Sequence, residues 1–191
     1  LTVGQANAGT QTVDLASPSG AGLFHSLTVY AANLPAAKAA LYNAILNANQ
    51  PGAADPDDGI KDSGLHANAK VGLAQKSNNI YIRPTRVGDL NLDGQVTISD
   101  FIDLASNFNT IGTATWQEGD LNYDRNVTIS DFIDLASNFN ASYSGEVVPI
   151  SAADAQALSD FASAHGVVVP EPGTIGLLVI GAGLLARRRR R

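Results

Sequence analysis

The sequence predicts an α+β chain. It has a small strand-and-helix N-terminal region, then an all-α pair of loop–helix units, then a short C-terminal transmembrane helix. Three observations lead there. Residues 88–109 and 119–140 are near copies, differing only at Leu92/Tyr123, Gly94/Arg125 and Gln95/Asn126, at an offset of 31 residues (119 against 88). Such self-similarity marks duplication of one small unit. Upstream, short apolar runs punctuated by Gly and Asn alternate with one helical pattern. Downstream, an apolar run ends in five consecutive arginines, Arg187 to Arg191.

In chain order, residues 2–3, 11–15 and 26–30 read as short strands. Pro35 suits a first helical position, and Ala36, Ala39, Ala40, Leu41, Ala44 and Ile45 follow at helical spacing, predicting a helix over residues 35–49. Pro51-Gly52 stops it, and a polar loop runs to Gly64. Residues 71–73 and 80–82 are further strand candidates. Residues 1–87 read as the α+β end of a longer exported protein. Ser151 caps a short helix over residues 152–164, which Gly166 ends; residues 141–167 are a linker around it.

Each repeat places oxygen-bearing residues at alternate positions. With Asp89 as loop position 1, Asp89, Asn91, Asp93, Thr97 and Asp100 fall at positions 1, 3, 5, 9 and 12, and Gln95 at 7 offers its carbonyl. Asp120, Asn122, Asp124, Asn126, Thr128 and Asp131 repeat the set. This is the EF-hand-type loop pattern with Asp at position 12. Calcium is a hard ion that takes six to eight oxygens at about 2.3–2.6 Å, and alternate residues of a tight loop supply them together. Two Ca2+ ions are therefore expected, the second site the weaker. Arg125 stands where the first loop has Gly94, at a position needing a left-handed turn. The alternative is a pair of Asx-rich turns with Asp100 and Asp131 capping the following helices, residues 100–108 and 131–139. Val96 and Val127 are expected to pair with each other across the two loops.

No convincing helix precedes Asp89, since Ile82-Arg83-Pro84-Thr85 is extended and interrupted by proline. Residues 88–140 thus resemble a type I dockerin, the duplicated calcium module by which cellulosomal enzymes dock onto cohesins. The resemblance implies a cohesin-like partner. Its contact positions are Ile98, Ser99 and Ile102 in the first repeat, and Ile129, Ser130 and Ile133 in the second. Ile98 and Ile129 stand where cellulosomal members often carry small polar residues.

The tail reads Val169-Pro170-Glu171-Pro172-Gly173, then an apolar run to Ala186, then the arginines. About 14 residues at about 1.5 Å each span about 21 Å, short of a hydrocarbon core of about 30 Å. That length suits a processed signal better than a permanent anchor. The arginines stay cytoplasmic by the positive-inside rule. Residues 168–191 resemble the PEP-CTERM sorting signal, with Val169, Pro170, Glu171 and Pro172 as the sorting motif. The resemblance implies an exosortase as partner, transient insertion in the inner membrane, and release to the cell surface or extracellular matrix of a bacterium.

Composition narrows the rest. There is no Cys, which excludes disulfides, thiolate zinc sites and a cysteine nucleophile. Without the arginine tail, seven basic residues face 18 acidic ones, which excludes a nucleic-acid partner. His25, His66 and His165 are isolated, and neither HExxH nor GxSxG occurs. Trp116, between the repeats, is read as packing against their helices. The expectation is an exported, envelope-associated, non-catalytic calcium-binding interaction module. The alternative is the C-terminal part of a secreted polysaccharide-degrading hydrolase, docked through its repeats to a cohesin-type scaffold.

Overall fold

The computed structural model describes residues 12–15, 26–49, 59–65, 67–144 and 149–167. The chain divides into two compact units, Leu1–Ser151 and Ala152–Arg191.

In the first unit, strand β1 (Thr12–Asp14) pairs in parallel with β3 (Gly59–Lys61). Strand β2 (Leu27–Tyr30) joins a hairpin of β4 (Ala69–Lys76) and β5 (Asn79–Arg86), giving a three-stranded antiparallel sheet in the order β2-β5-β4. Along β5, Ile80 and Ile82 are buried while Tyr81 and Arg83 are half-buried, the period-two alternation of a strand with one dry face. Val71 and Leu73 on β4 are buried too. Pro84 does not break β5. It lies beyond the last β2 pair, Leu27 with Ile82, where that side of the strand is an edge that tolerates proline.

Helix α1 (Leu34–Asn49) agrees with the expected one. Asn33 caps it, its Oδ1 accepting from Ala36 N at 3.2 Å. Leu41, Tyr42, Ile45 and Leu46 form one buried stripe, and α1 packs against β3, β4 and β5.

The repeats continue from the hairpin. Helices α2 (Ile98–Ser106) and α3 (Ile129–Ser137) start two residues earlier than expected, because Thr97 and Thr128 are the N-cap residues. Asp100 and Asp131 sit inside the first turn, each accepting from the cap residue's N–H at 2.9 Å. The rings of Phe101 and Phe132 meet edge to face, centroids 6.1 Å apart. Val96 and Val127 do not pair with each other. Each pairs with the chain leaving the other repeat's helix: Val96 N donates to Ala141 O (2.9 Å) and Asn140 N to Val96 O (2.9 Å), while Val127 N donates to Thr110 O (2.8 Å) and Asn109 N to Val127 O (2.9 Å). Gln95 and Ser142 extend the first exchange as an antiparallel bridge.

The expected all-α pair of loop–helix units is therefore corrected. Among the described residues four helices accompany two sheets, the repeats hold reciprocal extended pairs besides their helices, and the connector between them holds a 3-10 turn at Trp116–Glu118. The duplicated Val at position 8 is β-branched and extended, and the unpaired backbone beside it needs partners. Among the described residues no helix is long and apolar enough to cross a membrane; the transmembrane helix expected within residues 168–191 lies outside them. The strand expected at residues 2–3 also lies outside them.

The second unit contains α4 (Ala152–Ala164), which Gly166 ends at φ +71° with Val167 N donating to Ala162 O at 2.8 Å, as the sequence predicts.

Glycine at the head of each repeat is a packing requirement. A Cβ on Gly88 (φ +104°) would lie 2.8 Å from Val96 Cγ1 and 3.2 Å from the Cα of Leu135 on α3. One on Gly119 (φ +114°) would lie 3.1 Å from Leu104 Cγ on α2. Each repeat thus runs close beneath the other's helix. Gly112 (φ +77°) has nothing near its would-be Cβ. Gly112→Ala is expected to cost about 1–2 kcal/mol of backbone strain. Gly88→Ala adds overlap, bringing the loss to about 3 kcal/mol. Urea unfolding of the two variants checks this; equal losses would contradict the close approach.

Candidate metal centre

The two loops fold alike, residue for residue. Asp89 Oδ1 accepts from Asp93 N (3.1 Å) and its Oδ2 from Gly94 N (2.9 Å); Asp120 does the same with Asp124 N (2.9 Å) and Arg125 N (2.8 Å). Asn91 Oδ1 takes Asp93 N at 2.8 Å, and Asn122 Oδ1 takes Asp124 N at 2.9 Å. Asp93 and Asp124 each accept from the amide two residues on, that of Gln95 or Asn126. These are Asx turns in series, and they curl the chain tightly. Left-handed residues sharpen the curl at positions 4 and 6: Leu92 and Gly94 in one loop, Tyr123 and Arg125 in the other. Arg125 adopts φ +66°, as the expected turn requires.

Asp100 closes the first loop. Its Oδ1 accepts from Leu90 N (2.9 Å) and Asn91 N (3.2 Å), and its Oδ2 from Thr97 N (2.9 Å) and Thr97 Oγ1 (3.3 Å). Asp131 repeats this with Leu121, Asn122 and Thr128. The capping role weighed in the sequence is thus present, and it uses the loop's last acidic residue.

Asp89, Asp100, Asp120 and Asp131 are all 0% exposed. Burial raises the pKa of each, pushing Asp100 up to about 7 and Asp120 to about 6; in both, the buried neighbouring carboxylate of the same loop adds to the rise. Asp93 and Asp124 are exposed, so two acids per loop face inward and the third lies at the rim. Among the described residues no three His, Asp or Glu side chains converge on one point. The oxygens available to a cation are therefore the inner carboxylate pair, the Asn amide, the threonine hydroxyl and the carbonyls of Gln95 or Asn126. That all-oxygen set fits a hard divalent ion, and it excludes a softer ion that needs sulfur or imidazole.

Three residues near the loops carry no sequence signal. The Thr85 hydroxyl donates to Asp89 Oδ2, and Arg83 Nη2 lies 3.9 Å from the same oxygen. Tyr42 OH, from α1, donates to Asp120 Oδ2 at 2.7 Å. Tyr42 precedes its partner by 78 residues, so only the fold brings the two together. Trp116 is buried between β4 and the first loop, its indole N–H donating to Asp89 O at 2.7 Å.

The six expected partner positions fall on the two repeats in equivalent places. Ile102 and Ile133 are 55% and 45% exposed, Ser99 and Ser130 are exposed, and Ile98 and Ile129 are half-buried. Val169, Pro170, Glu171 and Pro172 lie outside the described residues.

The PEP-CTERM protein-sorting motif matches residues 168–191. The match covers the tail and not the repeats. No curated protein and no solved structure matches the chain. The chain is an exported protein with a C-terminal sorting signal, of the kind that an exosortase recognises.

The raised carboxyl pKa values fix the sign of a pH dependence. An unfolded Asp titrates near about 3.9, so the folded protein holds these protons more tightly. The stability that the protons of Asp100 and Asp120 contribute is full below about pH 4 and is lost as pH rises through about 6–7. Glu118, lowered chiefly against burial by its bond and ion pair with Lys38, acts only below about pH 4.5 and does not enter this window. With chelator present, the melting temperature is expected to fall by ~5 °C or more between pH 5 and pH 8. A midpoint that rises over that span would contradict the burial of these acids.

Proposed function

We propose that the exported chain uses its repeats as a non-catalytic calcium-binding interaction module, with one Ca2+ per loop. In the first loop the ligands are Asp89, Asn91, Asp93, the Gln95 carbonyl, Thr97 and Asp100. In the second they are Asp120, Asn122, Asp124, the Asn126 carbonyl, Thr128 and Asp131.

One observation carries this reading: each loop buries two carboxylates whose hydrogen-bond partners are amides and hydroxyls, and among the described residues the one cationic side chain paired with any of them is Arg83, 3.9 Å from Asp89 Oδ2. Taking ionised carboxylates out of water is costly unless a positive charge meets them. A divalent ion supplies that charge to both at once. An ion held there would supply neutralising charge to the pair, with the rim acid and the Asn amide as further oxygen ligands. The chain's own part is to hold the loop curled through the Asx turns and the position-12 carboxylate. The helices then start in fixed directions, with Ile98, Ser99 and Ile102 of one repeat and Ile129, Ser130 and Ile133 of the other at equivalent places. Either repeat is suited to present its surface to a cohesin-like partner. Export supports the reading further, since extracellular modules load at dissociation constants of about 10⁻⁴–10⁻³ M.

Titration of chelator-treated protein with CaCl2, followed by calorimetry, is expected to fill two sites. A hundredfold excess over the dissociation constant is expected to add about 2.7 kcal/mol per ion. Asp89→Ala is expected to abolish one site and Asp120→Ala the other, with Mg2+ a poor substitute for Ca2+. Absence of heat up to ~10 mM Ca2+, well above the range for such modules, together with an unmoved melting curve, would defeat the proposal.

A further inference from the structure

The loops share their ligand residues but not their surroundings. On β5, Arg83 and Thr85 point to the same side, both toward the first loop. Arg83 Nη2 lies 3.9 Å from Asp89 Oδ2, beyond a hydrogen bond yet well within Coulombic range. The same Nη2 would be 3.6 Å from a Cβ placed on Gly94, so the guanidinium lies against the sixth position of the loop. Its Nε is buried and has no hydrogen-bond partner. The group is therefore set beside the loop by its strand, and no hydrogen bond from Nε pins it there. The second loop receives a neutral hydroxyl instead: Tyr42 OH reaches Asp120 Oδ2 at 2.7 Å. Its own arginine, Arg125, is turned outward to α1, with Nη2 donating to Asn43 Oδ1 at 2.5 Å.

We propose that Arg83 is a tethered counter-cation of the first loop, a specificity-determining residue that lowers the affinity of that loop for divalent ions and leaves the second untouched. The inference rests on the calcium reading above. A guanidinium keeps its proton at any working pH, so an incoming ion always meets its charge. To be seated beside Asp89, a divalent ion has to displace the guanidinium or bind against it. Repulsion scales with the charge of the ion, so a trivalent ion suffers more than Ca2+. Thr85, neutral and on the same strand, keeps its bond to Asp89 and fixes the carboxylate in either case.

The test follows the amide resonances of Gly94 and Arg125, one reporter per loop, during titration of the full chain with CaCl2 and separately with TbCl3. Arg83→Gln is expected to tighten Ca2+ binding at the first loop roughly tenfold, with a larger gain for Tb3+, and to leave the second loop unchanged. Arg83→Lys keeps the charge and is expected to stay within about twofold of the parent. Arg83→Met, which keeps the apolar stem, takes the place of Gln if that variant loses its fold. Equal affinities at the Gly94 reporter in the charged and neutral variants would overturn the counter-cation. So would a gain that is the same for Ca2+ and Tb3+. If no variant and no parent binds either ion, the calcium reading itself fails and this inference falls with it, an outcome distinct from the other two.

Discussion

The repeats depend on one carboxylate in each loop joining two stretches of chain. Asp100 takes the amides of Leu90 and Asn91 on one oxygen and that of Thr97 on the other. The beginning of the loop is thereby tied to the beginning of α2. Asp131 does the same for α3. Because both acids are buried, water cannot compete for these bonds, and their geometry is held firmly. The cost is an anion taken out of water. The fold meets part of it with oriented N–H dipoles and leaves the rest to whatever positive charge the loops attract.

From that tie the rest of the duplicated segment follows. With the helix start fixed, Val96 is left extended at the loop's end, facing the chain that leaves α3; Val127 faces the chain that leaves α2. Neither repeat can complete these bonds alone, so the duplication is what makes the segment a folding unit. The segment is also bound to the strands before it. Tyr123 OH donates to Val71 O at 3.0 Å, Lys70 Nζ to Leu121 O at 2.5 Å, and the side chain of Gln117 exchanges hydrogen bonds with the backbone of Gln75. These bonds to β4 explain why the strands and the repeats fall in one compact unit.

Much of this was legible in the sequence, in proportion to how local the cause was. Helix α1 announced itself through Pro35 and its apolar spacing, and α4 through Ser151 and Gly166, because caps and stops act within a few residues. The loops announced themselves through alternate oxygens and exact register between copies. Strand β3 did not, because Gly59-Ile60-Lys61 is too short to show a period and exists only by pairing with β1. The hairpin looked shorter than it is, since Pro84 reads as a breaker until the neighbouring strand is seen to stop at Leu27. The partner of each position-8 valine was misread because the pairing is between repeats and lies beyond any single one. Arg83 and Tyr42 were invisible as parts of the site, their link to it being purely spatial.

The three differences between the repeats show how an exact copy was fitted to unequal surroundings. Where the first loop has Leu92, packed toward Gly72, the second has Tyr123, whose ring lies 6.0 Å from Trp116 and 6.5 Å from Tyr42, with Lys70 Nζ 5.1 Å from its centroid. Where the first has Gly94, leaving room for Arg83, the second has Arg125, reaching Asn43 on α1. Where the first has Gln95, bridged through its backbone to Ser142, the second has Asn126, whose Oδ1 accepts from Gly112 N in the connector at 3.0 Å. Each substitution adds a contact to a segment that is not itself duplicated. None replaces a carboxylate, the Asn at position 3 or the Thr at position 9, and at position 7 Gln95 and Asn126 alike offer a backbone carbonyl. The chemistry common to both loops was kept, and the changes fell on positions that anchor the second copy to α1, β4 and the connector. Sequence symmetry therefore survives at the positions whose side chains offer oxygens and fails where the environment is asymmetric, which leaves like binding loops under unlike electrostatic conditions.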